Sequence, residues 1–262
     1  MKNFCIIGHP VSQSISPSIY NRYFSEAGIK AAYEAKGIEP ENFDDEIHHI
    51  LRKYDAFNVT IPFKSKILPY LTLDRDAKEM GAVNCVFNGK GYNTDWKGFV
   101  NSFEDVQIPS PITVIGAGGA ARAVVYGLYR MGIKRITLLN RTVKRAQEFS
   151  QNFAIRSGIA IDVYSLSDIK PVVRETKTLI NATSVGMRGE CFDIVEDDLS
   201  SIEVLYDVIY LKTPLQIFAA QCGIDIVMNG LSMFYHQAIE NLRIWGILDE
   251  NLFQRVFKKV MA

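Results

Sequence analysis

Short apolar runs alternate with longer amphipathic stretches along the whole chain, the pattern of an α/β protein. "NFCIIG" reads as a first strand. A helix is predicted from Ser16-Pro17, with serine as N-cap and proline in the first turn. "AAYEAKGI" is a second strand, "PENFDDEIHHILRKY" a helix and "AFNVTI" a third strand. In "NVTIPFK", residues 58–64, parity splits the side chains. Val59, Ile61 and Phe63 form an apolar row expected to face a core, while Asn58, Thr60 and Lys64 share the other row. A short helix is predicted after Pro62 and another over Asp74 to Met80. "NCVFNGKGYN" reads as a hairpin turning at Asn88-Gly89, and "DWKGFVNSFEDV" as a helix.

Two prolines in "QIPSPITVIGAGGAA" mark a boundary near residue 110. Beyond it "ITVIG", "RITLLN", "TLIN", "VLYDVI" and "IDIVMN" alternate with helices as in a doubly wound sheet. Two helices remain after Gly230, with no later strand to cross to. They are expected to pack back on the first domain. The expected architecture is α/β in two domains, 1–105 plus 231–262 and 106–230, with a cleft between them.

"ITVIGAGGAARAVVYGL" places Gly116-x-Gly118-x-x-Ala121 after a strand and before a helix. Gly116 permits the tight turn, Gly118 lets backbone approach a pyrophosphate, and a small Ala121 lets the helix sit close to the strand. Ala117, Gly119 and Ala120 complete the turn, whose helix N-terminus favours phosphate. The next strand ends in Asn140-Arg141-Thr142, with Lys144 and Arg145 following. No carboxylate stands there to bond a ribose 2′-OH or repel a 2′-phosphate, and Arg141 offers a planar fork of donors. The expected cofactor is therefore NADP(H).

Polar residues gather at predicted strand ends and loops of the first domain. Ser14 and Ser16 stand at a helix start, where hydroxyls and dipole suit a carboxylate, although a serine there can be only a cap. Asn84 ends "GAVN". Asp95 opens a helix, where capping competes with chemistry, and Lys64 taken alone reads as a surface charge.

Balanced charge, 29 basic against 29 acidic residues in 262, suggests no nucleic-acid or anionic-membrane partner. No apolar run reaches membrane-span length, and "MKNFCIIGHP" breaks too early at Gly8 and Pro10 for a signal peptide. Cys5, Cys85, Cys191 and Cys222 are scattered, which points to a reducing cytoplasm and to neither zinc nor a disulfide framework. The four histidines show no metal-ligand spacing, so no metal is expected.

"SISPS", "NVTIPFK", "GAVN" and "GYNTD", followed by "GAGGAA", "NRT", "NATSVGM" and "GLSMFYHQA", resemble the shikimate dehydrogenase family in order along nearly the whole chain. The resemblance implies an N-terminal α/β substrate domain joined to a Rossmann-like NADP-binding domain. It also implies NADPH-dependent reduction of 3-dehydroshikimate to shikimate on the route to chorismate and the aromatic amino acids. By it, Ser14 and Ser16 would hold the carboxylate, and Asn58, Thr60, Asn84 and Gln237 the ring hydroxyls. Lys64 and Asp95 would be the catalytic pair, and Tyr210 would approach the substrate. Thr183, Ser184, Met187, Val208, Gly230 and Met233 would line the nicotinamide side. Two positions depart from the family pattern: Tyr20 stands where histidine is usual, and Cys85 where threonine follows "GAVN". Two other readings stay open, a quinate/shikimate dehydrogenase with relaxed specificity and a non-catalytic nucleotide-sensing protein of the same fold. Monomer and homodimer both remain open.

Overall fold

A computed structural model describes residues 1–261, with nothing assigned to the side chains of 155 and 156. The chain divides into two compact units, Met1–Thr94 with Gln237–Ala262, and Asp95–His236.

The first unit runs β1 (Lys2–Gly8), α1 (Ser16–Glu26), β2 (Ala31–Gly37), α2 (Phe43–Lys53), β3 (Ala56–Val59), β4 (Thr72–Leu73), α3 (Arg75–Met80), β5 (Cys85–Phe87) and β6 (Lys90–Tyr92). Its sheet has the order β2-β1-β3-β5-β6-β4. β1 pairs parallel with β2 and β3, whereas β3, β5 and β6 pair antiparallel in turn. The predicted hairpin turn is present, with Asn88 at φ 50° and Gly89 at φ 70°. Two left-handed residues in succession match the right-handed twist of the flanking strands. α2 lays Phe43, Ile47 and Ile50 against Cys5, Phe57 and Phe63.

β3 is shorter than its apolar alternation predicted. Thr60 N–H still donates to Ile7 O, but Pro62 has no N–H and Phe63 N–H turns back to Thr60 O. The strand therefore ends at Val59, and Ile61, expected in the core, is 40% exposed. Phe63 reaches the core through the turn rather than by strand parity. The short helix expected after Pro62 is a run of turns with one 3-10 turn at Leu68–Tyr70. At α1 the N-cap position is Ile15, and Ser16 is already helical. Ser14 Oγ, not Ser16, accepts a backbone N–H there, that of Ser16 at 3.3 Å.

The second unit runs α4 (Asp95–Asn101), β7 (Ile112–Ile115), α5 (Gly119–Arg130), β8 (Arg135–Asn140), α6 (Val143–Ser157), β9 (Ala160–Ser165), α7 (Ile169–Arg174), β10 (Thr178–Asn181), β11 (Val204–Asp207), α8 (Pro214–Gln221) and β12 (Ile226–Asn229). Its six strands are all parallel in the order β12-β11-β10-β7-β8-β9. β9 had no counterpart in the predicted pattern. It is an edge strand paired with β8, and most of its side chains are half-exposed, so its sequence shows no apolar run. The strand order reverses at β7, which makes the carboxyl ends of β7 and β10 the switch point of the sheet. α4 packs closely on α5, where a Cβ at Gly127 would come within 2.7 Å of Phe99 Cδ1.

α9 (Leu231–Ile244) and α10 (Glu250–Met261) complete the chain. The residues from Gln237 onward belong to the first unit. Tyr23 Oη donates to Ile247 O at 2.6 Å, Trp245 meets Phe4 at 5.1 Å, and Phe253 meets Tyr23 edge-on.

Candidate active site

In the first unit the polar residues cluster where β1, β3, β5 and β6 end. Gly8 makes the crossing feasible, because a Cβ there would lie 2.4 Å from Thr60 Cγ2 and 3.0 Å from Ile61 O. Thr60 is half-buried beside that glycine. Val59 N–H donates to Asn84 O, and Val83 N–H donates to Lys64 O at 2.8 Å, which ties the turn carrying Lys64 to the strand carrying Asn84.

A buried network joins several of the expected site residues. Tyr33 Oη donates to Asn58 Oδ1 at 2.7 Å, and Asn58 Nδ2 donates to Asn84 O at 3.0 Å. Asn84 Oδ1 accepts from Thr94 N–H at 2.7 Å, and Asn84 Nδ2 donates to Thr94 Oγ1 at 2.9 Å. Thr94 Oγ1 donates to Asn241 Oδ1 at 2.8 Å, and Asn241 Nδ2 donates to Gln237 Oε1 at 2.8 Å. Burial pushes the phenols of Tyr20 and Tyr33 up, so both stay neutral near pH 7. Asn58, Asn84 and Gln237 thus fall on one hydrogen-bonded path, while Ser16 is buried and its backbone N–H donates to Ser14 Oγ. Tyr33, Thr94 and Asn241 went unnoticed in the sequence. Asn241 lies one helical turn after Gln237, a spacing that could have flagged it.

In the second unit β7 runs into the glycine turn. Gly116 has φ +118°, and a Cβ there would come within 3.0 Å of Ala182 O and Thr183 Cγ2. Around Gly118 the space a Cβ would take is open. Ala121 is fully buried. The first-turn N–H groups of α5, from Gly119, Ala120 and Ala121, have no earlier helical carbonyl to bond and carry the positive end of the dipole. Asn140 Nδ2 donates to Thr142 O at 2.8 Å, closing the turn that presents exposed Arg141, Thr142 and Lys144. Arg122, on the first turns of α5, lies over the Phe149 ring; burial and then the Arg145 charge hold its guanidinium below its usual pKa. Of these cations only Arg122 went unnoticed in the sequence. These groups fit a phosphorylated dinucleotide: a cradle that a side chain at Gly116 would fill, free helix N–H groups, and cations in place of a carboxylate.

The loops after β10 and β11 are knotted around one carboxylate. Asp207, fully buried, accepts from Asn181 Nδ2, Ile209 N–H, Thr213 Oγ1 and Gln216 Nε2. Burial pushes its carboxyl above the usual Asp range against the opposing pull of those donors. Asn181 in turn accepts from Thr183 Oγ1 at 2.7 Å. Gly186 packs on Thr213 with room for no Cβ, and a Cβ at Gly230 would fall 2.0 Å from Val208 O. Thr183, Val208 and Gly230 are therefore set by one rigid arrangement. Met233 is buried, Ser184 and Met187 are exposed, and the Tyr210 ring meets Phe234 at 5.7 Å.

The sequence profile described as the shikimate dehydrogenase substrate binding domain matches residues 6–86, and that of shikimate / quinate 5-dehydrogenase matches residues 102–187. The shikimate dehydrogenase (NADP(+)) of Thermotoga maritima is 48% identical over 258 residues, covering 98% of this chain and 99% of the relative. The chain belongs to the shikimate dehydrogenase family. The crystal structure of shikimate dehydrogenase from Thermotoga maritima superposes with a TM-score of 0.93, covering 99% of this chain and all of that one at 48% identity. That of shikimate 5-dehydrogenase from Thermus thermophilus, in complex with NADP(H) and shikimate, gives a TM-score of 0.82 at 29% identity, over 99% of this chain and all of that one.

The first match within the shikimate dehydrogenase family spans Ser14, Ser16, Asn58, Thr60, Lys64 and Asn84. The second spans the glycine turn, Asn140 to Lys144, and Thr183, Ser184 and Met187. Asp95, Val208, Tyr210, Gly230, Met233 and Gln237 lie outside both matched spans. Asp95 is 6% exposed and opens α4 of the second unit directly after Thr94. Among the described residues no group of three or more histidine, cysteine or acidic side chains is placed to hold a metal, and no helix is long and apolar enough to cross a membrane.

Proposed function

We propose that this chain is an NADP-dependent oxidoreductase that interconverts 3-dehydroshikimate and shikimate. The observation that carries the reading is the single buried path through Asn58, Asn84 and Gln237, which gathers three amides and the Thr94 hydroxyl in the unit that matches the family's substrate-binding domain. Amides and hydroxyls that both donate and accept suit a ring bearing several hydroxyl groups. Ser14 and Ser16 are assigned to its carboxylate and Thr60 to a further hydroxyl, with Tyr210 beside the ring.

The glycine turn, residues 116–121, would hold the pyrophosphate. Asn140, Arg141, Thr142 and Lys144 would hold the 2′-phosphate, and Thr183, Ser184, Met187, Val208, Gly230 and Met233 the nicotinamide. Bound NADPH supplies the hydride that reduces the 3-keto group. Lys64, as an ammonium, stabilises the alkoxide that results and delivers its proton. Asp95, as a carboxylate, orients that ammonium and bonds the reacting hydroxyl. In the reverse direction Lys64 accepts the proton. Four free thiols suit a reducing compartment, and we assign the chain to the cytoplasm.

Purified protein should reduce NADP⁺ when shikimate is added, followed by nicotinamide absorbance. Absence of shikimate-dependent reduction sinks the reading, and equal turnover of quinate would favour the relaxed alternative. The 2′-phosphate assignment has its own check. Arg141→Ala should raise the KM for NADPH by about 10–100-fold, the loss of a charge-assisted hydrogen bond, and leave that for NADH unchanged. An unaltered NADPH KM would remove Arg141 from the site.

A further inference from the structure

We propose that Asn241 is a positioning residue that holds the Gln237 amide by its Oε1 for contact with the ligand. The proposal rests on the reading of Gln237 as a shikimate contact.

The direction of each amide follows from a group whose role is not in doubt. A backbone N–H can only donate, and Thr94 N–H points at Asn84 Oδ1. The other end of that amide, Nδ2, is therefore the donor to Thr94 Oγ1. Having accepted, the Thr94 hydroxyl gives its one hydrogen to Asn241 Oδ1 at 2.8 Å, a nearer acceptor than Asn84 Oδ1 at 3.2 Å. Asn241 Nδ2 must then be the end that meets Gln237 Oε1 at 2.8 Å and Tyr20 Oη at 3.1 Å. Both amide hydrogens of Asn241 are thus committed. Asn84 Nδ2 also borders Gln237 Oε1 at 3.5 Å. An oxygen facing two amide donors cannot exchange places with its own NH₂ group without setting hydrogens against hydrogens.

Tyr20 also acquires a role at a position where the family pattern has histidine. Fully buried and stacked on Tyr33 at 4.6 Å, it accepts from Asn241 Nδ2 at 3.1 Å and so anchors the second amide hydrogen of Asn241. Tyr20, Asn84, Thr94, Gln237 and Asn241 all belong to the first unit.

A double-mutant cycle on the whole protein tests this. Asn241→Ala should raise the KM for shikimate about tenfold, with kcat and the KM for NADP⁺ within about twofold of wild type. In a Gln237→Ala background the same substitution should add less than about twofold, because the amide it orients is gone. Tyr20→Phe keeps the ring packing and should raise the shikimate KM about threefold, again only while Gln237 is present. An unchanged KM in Asn241→Ala, or a full effect that persists without Gln237, overturns the proposal. Should Asn241→Ala fail to fold, the Tyr20→Phe cycle decides by the same two criteria. Wild-type protein inactive on shikimate would strike the functional reading instead, before any variant is compared.

Discussion

Lys64→Ala is expected to lower kcat with shikimate by about 10²–10⁴, the usual cost of removing a group that transfers the proton. The KM for shikimate should hardly move, because the carboxylate and hydroxyl contacts are assigned to other side chains. The backbone at this position is held independently of the ammonium, by Val83 N–H on Lys64 O. Loss of the side chain should therefore leave the turn and the melting temperature intact. Steady-state kinetics beside a thermal melt separate the two effects. A variant that keeps wild-type kcat would exclude Lys64 from the chemistry. A variant that loses kcat only in proportion to lost folded protein would make it structural.

The second large effect is expected at Asp207, which touches no assigned ligand atom. Asp207→Ala would strand the buried Ile209 N–H and Thr213 hydroxyl donors and remove a second acceptor from Asn181 Nδ2 and Gln216 Nε2, which keep backbone carbonyls at Val185, Ile209 and Leu211. One unsatisfied buried group costs about 1–3 kcal/mol, and relaxation makes several cost less than their sum. A loss of about 3–5 kcal/mol, read as a fall in melting temperature of about 10 °C, is the expected outcome for a unit of this size. The KM for NADPH should rise as well, because Thr183 and Val208 lie on the loops that Asp207 ties together. A melting temperature unchanged from wild type would mean that the Ile209 and Thr213 donors find other partners and that the carboxylate is dispensable.

Local rules made much of this molecule legible. The period of apolar residues located the strands and helices around β7, β8, β10 and β11, because a parallel strand buried on both faces is apolar throughout, and the edge strand β12 showed through its own apolar run, Ile226 to Met228. Asn88-Gly89 announced its hairpin because few other residue pairs tolerate two left-handed conformations in succession. The glycine turn announced itself for a similar reason: at Gly116 both the backbone angle and the closeness of Ala182 O exclude a side chain. The missing acid at Asn140 was equally plain, since it is a single residue at a fixed offset from that turn.

Other features depend on partners far away along the chain, and no window of sequence contains them. β9 gains its identity from β8 rather than from its own half-exposed residues. β3 stops at Val59 because of where β1 and Pro62 lie, so parity misjudged Ile61. The direction of the Gln237 amide depends on Thr94 meeting Asn241 across 147 residues. Asp207 becomes a hub only when the ends of β10 and β11 and the start of α8 converge on it. Dihedral preferences and hydrophobic periodicity act within a few residues and can be read from composition. The pairing of a buried amide or carboxylate is set by which donors packing brings within about 3 Å, and that is known only once the chain has folded.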